Sequence, residues 1–197
     1  TYYGDEYLTA EWTIAITGTT NASDITLDNW TTNKTISVRA RERYPSRNII
    51  LHRHYSYGDD IGTDNSTIMV PKLDIFSIGK KEQDAILVTT KTEPKHGQLL
   101  ETLSGISDGR TVTVESGTYQ FENVTTYQHP TTTFTDVTGT SITYKPPMGT
   151  KQVIYNCQVY VGRNDSAGLH TFKYFIDDVE VYSPGSIGSS QNYGRIV

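Results

Sequence analysis

The stretch from Ser141 to Tyr182 reads SITYKPPMGTKQVIYNCQVYVGRNDSAGLHTFKYFIDDVEVY. Its segment Gln152–Val161 alternates between apolar and polar side chains, and a period of two is typical of a half-buried strand. The apolar positions on one face are Val153, Tyr155, Cys157 and Val159. Pro146-Pro147 requires an extended or turning chain before this strand. Asp177-Asp178 separates two alternating segments, so this stretch predicts a β-hairpin.

Similar alternation occurs in the first half of the chain. Tyr7–Ile16 places Leu8, Ala10, Trp12, Ile14 and Ile16 on one face. Thr35–Arg41 places Ile36, Val38 and Ala40 inward, and Ile49–Tyr55 also has the composition of a strand. No segment carries a helical apolar stripe over three turns. Short strands separated by turn residues predict an all-β fold, an antiparallel β-sandwich of jelly-roll type.

Composition excludes several classes of function. The net charge of −5 disfavours a nucleic-acid partner, because phosphate binding needs clustered Lys and Arg. The one basic run, Arg39–Arg47, is interrupted by Glu42 and fits a solvated strand end. The single cysteine, Cys157, excludes an internal disulfide and fits a buried, inert thiol. No apolar run reaches the roughly 18 residues that a membrane span needs, so we expect no membrane insertion.

Two patterns raise the question of a metal. His52 and His54 are spaced to share a face of one strand and could share a zinc ion; sheet-surface histidines are the commoner interpretation. Asp59-Asp60 with Asp64, and Asn164-Asp165 with Asp177-Asp178, offer oxygen ligands for calcium but are also common turn formers. Neither pattern has the spacing of a known motif. We predict no metal and no cofactor.

Other residue types point weakly to sugars. Five aromatic residues in or beside loops could form a carbohydrate platform: Tyr2, Tyr3, Trp30, Tyr55 and Tyr57. Five glutamates are available for glycoside hydrolysis, although none sits in a recognisable setting: Glu11, Glu42, Glu115, Glu122 and Glu180. Six matches to N-x-[ST] begin at Asn21, Asn29, Asn33, Asn65, Asn123 and Asn164. A Thr-rich chain also produces such matches by chance. We predict no catalytic residues.

The segment TGTSITYKPPMGTKQVIYNCQVYV (138–161) with GLHTFKYFIDDVEVY (168–182) resembles the complement- and tumour-necrosis-factor-like jelly-roll domains of virion fibre and spike proteins from marine phages and large algal DNA viruses. In that family a Gly usually stands where this chain has Asp178. LLETLSGISDGRTVTVESGTYQFENVT (99–125) looks like the start of the same domain, whereas residues 30–64 and 71–79 resemble its closing part.

The resemblance implies an unusual order of the two parts. Residues 1–80 form a β half-domain that resembles the end of the jelly roll, 81–97 form a linker, and 98–197 form a half-domain that resembles its beginning. Three explanations fit. The chain is a window of a tandem fibre, which we prefer, or a circular permutation, or a pair of halves that complete neighbouring copies.

From the resemblance we expect a non-enzymatic virion structural protein on the particle surface, a module of a fibre, spike or decoration. The family's members imply a homotrimer. The partners expected from the resemblance are other virion proteins and a host surface glycan in attachment. Loops carry recognition on a rigid scaffold, so partner contact is predicted in three of them. The residues chosen there are Tyr57, Asp59, Asp60, Asn65, Asn164, Asp165 and Ser186.

Two alternatives belong to other classes. A carbohydrate-binding β-sandwich module of a secreted or surface protein would share the fold and the exposed aromatic residues. A polysaccharide depolymerase would need a pair of placed carboxylates, and the sequence offers no motif for them.

Overall fold

The structure is a computed structural model that describes residues 6–16, 25–26, 30–42, 49–54, 67–79, 97–163 and 170–182. Within these ranges the regular structure consists of strands, and no helix is present. The predicted all-β class is therefore confirmed. In the same part of the chain, no helix is long and apolar enough to cross a membrane.

Fifteen strands follow one another along the described chain. They are β1 (Glu6–Ala15), β2 (Ile25–Thr26), β3 (Lys34–Glu42), β4 (Ile49–Leu51), β5 (Arg53–His54), β6 (Thr67–Ile68), β7 (Lys72–Gly79), β8 (Gln98–Ile106), β9 (Thr111–Val114), β10 (Gly117–Gln120), β11 (Thr135–Asp136), β12 (Ile142–Tyr144), β13 (Thr150–Arg163), β14 (His170–Ile176) and β15 (Val179–Tyr182).

The larger sheet is built around β13. Its order is β2-β1-β13-β7-β8, and β4 pairs with the far end of β13. The pairing of β1 with β13 is antiparallel and runs from Glu6 opposite Val161 to Ala15 opposite Gln152. Only the short β1–β2 contact in this sheet is parallel. The alternation predicted for β1 and β13 is confirmed, because the predicted inward side chains of both strands are buried.

The second sheet has the order β11-β3-β14-β15, and β12 also pairs with β3. Strands β14 and β3 are antiparallel from His170 opposite Glu42 to Ile176 opposite Ile36. The three side chains predicted to face inward from β3 are all buried: Ile36, Val38 and Ala40. Two smaller pairs, β9 with β10 and β5 with β6, lie outside these sheets.

The two sheets share one apolar core, which confirms the predicted β-sandwich. Trp12 of the larger sheet packs against Tyr174 of the second sheet, with ring centroids 5.3 Å apart. The buried Tyr155 hydroxyl donates a hydrogen bond of 2.5 Å to the Thr140 carbonyl. The polar end of each buried aromatic needs such a partner, because an unpaired polar group in a core is costly.

Both parts of the chain contribute to each sheet. In the larger sheet β1 and β7 flank β13, and in the second sheet β3 lies between β12 and β14. Among the described residues, neither of the two main sheets is formed by one part of the chain alone. The prediction that the two parts resemble the end and the beginning of one family domain stays a prediction, and residues 81–96 lie outside the described ranges.

The predicted hairpin between β14 and β15 is confirmed. Asp177 and Asp178 have φ values of 48° and 65°, so both central residues are left-handed, as a type I′ turn requires. The Asp177 carboxylate accepts hydrogen bonds from the Thr35 backbone N–H at 2.8 Å and the Lys34 ammonium at 3.1 Å. Asp178 pairs with Arg39. These contacts tie the turn to β3 and explain why Asp serves at a position that favours Gly.

Replacing Asp178 tests this turn. Asp178→Val places a β-branched side chain at a left-handed position, which costs about 1–2 kcal/mol per residue. Asp178→Gly is the matched control, because it also loses the exposed pair with Arg39 but accepts the backbone conformation. In urea unfolding the Val variant should therefore be less stable than the Gly variant. Equal stability of the two variants would contradict the turn.

Candidate functional site

The seven residues predicted for partner contact lie outside the described residues. They are Tyr57, Asp59, Asp60, Asn65, Asn164, Asp165 and Ser186. Their role stays a prediction. Of the six glycosylation matches, Asn33 and Asn123 fall within the described ranges, and both residues are exposed.

The predicted strand Ile49–Tyr55 is interrupted at His52. This residue has a φ of 67°, so β4 ends at Leu51 and β5 begins at Arg53. Its backbone still bonds on both sides, donating to the Tyr160 carbonyl at 2.9 Å and accepting from the Met69 N–H at 2.9 Å. The left-handed residue breaks the alternation on which a shared face with His54 depends.

The interpretation of His52 as a sheet-surface residue is wrong. Its exposed fraction is 0%, and no hydrogen bond of normal geometry reaches either ring nitrogen. His54 instead contacts the Tyr160 hydroxyl through Nδ1 at 2.6 Å. Among the described residues, no group of three or more His, Cys, Asp or Glu side chains could hold a metal ion.

Trp30 cannot belong to an exposed aromatic platform. Trp30 is only 4% exposed, and its indole N–H donates to the Tyr144 carbonyl at 3.1 Å. It therefore belongs to the core. The other members proposed for this platform, Tyr2, Tyr3, Tyr55 and Tyr57, lie outside the described residues.

Cys157 is buried in β13, which confirms the prediction of a buried thiol. Burial raises the pKa of this thiol to about 12. Because the thiolate is the nucleophilic form, the group is inert near neutral pH.

A groove at one end of the sandwich is a concave feature of the described surface. It has a volume of about 510 Å³. The turn between β12 and β13, the turn between β9 and β10, and the end of β1 meet there. Its lining residues are Ile16, Trp30, Thr31, Glu115, Ser116, Lys145, Pro146, Pro147, Met148, Gly149, Thr150 and Lys151.

The Pro-Pro turn forms one wall of the groove. Thr150 closes this turn, because its hydroxyl donates to the Pro147 carbonyl at 2.7 Å and its N–H donates to the same oxygen at 3.3 Å. Gly149 has a φ of 87°, a left-handed conformation that suits Gly. Met148 is held outward at the tip of the turn with 81% of its surface exposed.

A buried polar network supports the opposite wall. Glu101 is 7% exposed, and its carboxylate accepts hydrogen bonds from the Ser116 N–H at 2.8 Å, the Ser116 hydroxyl at 2.6 Å and the Tyr144 hydroxyl at 2.7 Å. Tyr119 donates to the Lys145 carbonyl at 2.9 Å. Burial and the neighbouring Glu101 raise the pKa of Tyr144, so its hydroxyl stays protonated and can donate. These bonds fix Ser116 and Lys145 beside the groove.

The described lining of the groove has the composition of a ligand site. Glu115 is the one carboxylate among the described lining residues, whereas glycoside hydrolysis commonly uses two carboxyl groups on either side of the bond. Glu101 lies behind the wall, where Ser116 and Tyr144 use its oxygens. The lining combines apolar surface with a few polar side chains, which is the usual composition of a ligand site.

The groove was not predicted from the sequence. Pro146-Pro147 indicated a turn, but the turn acquires a concave face only because β1 and the β9–β10 turn lie beside it. The paired residues Ile16 and Lys151, linked by an N–H to carbonyl bond of 2.7 Å, are 135 positions apart in the chain. No local pattern of residues signals such a contact.

Comparisons with known proteins add no relative. No family model, curated protein or solved structure matches the chain. The family resemblance therefore stays a prediction, and function has to be inferred from the residues and geometry of this chain.

The burial of His52 predicts a pH-dependent stability. Burial lowers the pKa of His52 to about 4, although the Thr138 backbone raises it in part. The unfolded chain, with an ordinary pKa of about 6.5, takes up the proton first as the pH falls. Stability from this group is thus present above pH 6.5 and is lost as the pH falls towards 4, by about 3 kcal/mol.

Urea unfolding at pH 7 and pH 4 measures this loss against His52→Asn, which tolerates a left-handed backbone. The variant lacks the titrating ring but keeps the acidic groups that also titrate in this range. We expect the unmodified chain to lose about 3 kcal/mol more than the variant between the two pH values. Parallel losses would show that His52 is not buried as described.

Proposed function

We propose that the chain is a jelly-roll module of a virion surface protein, part of a fibre, spike or decoration, and that it acts by binding and not by catalysis. The observation that carries the proposal is the pairing of eight strands. They pair as β8 with β7, β12 with β3, β13 with β1 and β14 with β15.

This pairing is nested when the strands are taken in circular order from β8. The first four strands, β8, β12, β13 and β14, then pair in reverse with the last four, β15, β1, β3 and β7. Such nesting arises when a long hairpin with four strands in each arm rolls into two sheets. Eight strands in two sheets are typical of a jelly roll. The pairing supports the implied order, in which the closing part of the domain precedes its opening part.

A homotrimer is part of the proposal. On the outer face of the larger sheet, Ile154 lies opposite Phe76 and Thr13, and Phe76 lies opposite Thr102. Ile154 and Phe76 are half-buried within one chain. The row formed by these four residues carries no charge. Its partly exposed apolar side chains favour association with further copies of the chain. The adjoining row contains Glu11 and Asp74, which would limit the contact to a defined register.

Assembly would explain how weak recognition can be sufficient. A trimer repeated over a particle multiplies weak contacts with other virion proteins or with a host surface glycan, because linked sites bind with a high effective concentration. A deep pocket is not needed for attachment of this type.

A carbohydrate-binding β-sandwich module of a secreted or surface protein is the second candidate, and the groove beside Pro147 favours it. Antibody labelling of purified virus particles separates the two candidates. Labelled particles support the virion module, and labelling confined to the secreted fraction of cells supports the carbohydrate-binding module.

The trimer is tested by light scattering after size-exclusion chromatography. We expect a mass three times that of one chain. Phe76→Lys should shift the mass towards that of a single chain, because it places three like charges in the proposed interface. Thr113→Lys, on the exposed β9–β10 pair, adds the same charge elsewhere and should leave the trimer intact. A single-chain mass for the unmodified protein would contradict the trimer.

A further inference from the structure

Several backbone donors that line the groove are already used. The Ile16 N–H donates to the Lys151 carbonyl at 2.7 Å, and the Ser116 N–H donates to Glu101 at 2.8 Å. The Thr150 N–H is taken by the turn, and Pro146 and Pro147 have none. A peptide that adds to a sheet edge depends on a ladder of free backbone groups. The Ile16, Ser116 and Thr150 N–H groups are therefore not free to hold an extended peptide in this way.

The side chains that remain set the chemistry of a ligand. Lys145 and Lys151 are exposed at the groove, against the single carboxylate of Glu115. This local excess of positive charge contrasts with the net charge of −5 of the whole chain. It favours a ligand that carries a negative group, because opposite charges attract even when partly screened.

The apolar part of the lining sets a second requirement. Pro147 is half-buried and Met148 is largely exposed, so together they present an uncharged surface beside the lysines. A sugar ring has an apolar C–H face and hydroxyl groups at its edge, and it can meet both kinds of surface. The volume of about 510 Å³ falls within the range of roughly 300–1,000 Å³ that is usual for ligand sites.

We propose that this groove binds an oligosaccharide segment that carries a carboxylate or sulfate group. The C–H face of the sugar lies on Pro147 and Met148, and Lys145 and Lys151 recognise the acidic group. The groove is largely preformed, because Glu101 holds Ser116 and the Tyr119 hydroxyl donates to the Lys145 carbonyl. A preformed groove loses little conformational freedom on binding.

This inference deepens the proposed function, because it names the class of host-surface glycan for an attachment module. It also applies to the carbohydrate-binding alternative. Binding to the groove does not require the trimer, so each of the two proposals can be contradicted without affecting the other. Saccharide binding by a single chain would contradict the trimer alone, and a trimer that binds no acidic saccharide would contradict this inference alone.

The test is calorimetric titration of the full chain with four probes. Trigalacturonic acid supplies carboxylates, a heparin disaccharide supplies sulfates, maltotriose is the neutral control, and a hexaglutamate peptide is the acidic non-sugar control. We expect binding of at least one acidic saccharide, weaker binding at higher salt, and no binding of maltotriose. The two acidic saccharides together distinguish carboxylate from sulfate recognition.

Variants locate the site. The double substitution Lys145→Gln with Lys151→Gln should weaken binding about fivefold or more, as expected for two partly exposed charge contacts. Lys72→Gln with Lys173→Gln removes the same charge away from the groove and should leave affinity unchanged. Absence of acidic-saccharide binding, equal affinity of the two double variants, or tighter binding of hexaglutamate would each overturn the proposal.

Discussion

The fold depends on the position of β13 between two strands from the first half of the chain. Its fourteen residues, Thr150–Arg163, pair with β1 on one side and with β7 and β4 on the other. A central strand must have both edges paired, because buried N–H and C=O groups without partners are costly. The first and second halves of the chain therefore stabilise each other, and the shared core between the sheets forms only when they meet.

The local sequence pattern was sufficient to predict the buried faces of the long strands and the position of one hairpin. Alternation identified the buried faces of β1, β3 and β13, since a period of two places every second side chain in the core. The hairpin at Asp177-Asp178 was also predicted, although Asp is a weaker signal than Gly. Its stability comes from Thr35, Lys34 and Arg39, which are far away in the sequence.

Other features could not be predicted because they arise from long-range packing. His52 has a left-handed backbone that follows from its bonds to Tyr160 and Met69, and nothing in the local sequence indicates this conformation. Trp30 was one of the residues considered for a surface platform, whereas its bond to the Tyr144 carbonyl places it in the core. The groove has the same origin, since its walls come from distant segments. Its polar network uses Glu101, a residue that no motif singled out.

The most direct measurement joins β3 of the first half to β12 of the second. Thr35 and Thr143 lie opposite each other, with their hydroxyl oxygens 2.8 Å apart. A Thr35→Cys and Thr143→Cys double variant should form a disulfide under mild oxidation, because opposite positions on paired strands are close enough for one. If one chain closes its own sandwich, the oxidised protein runs as a single chain on a denaturing, non-reducing gel. Disulfide-linked dimers or larger species in place of that band would show that the halves complete neighbouring copies, and would contradict the account.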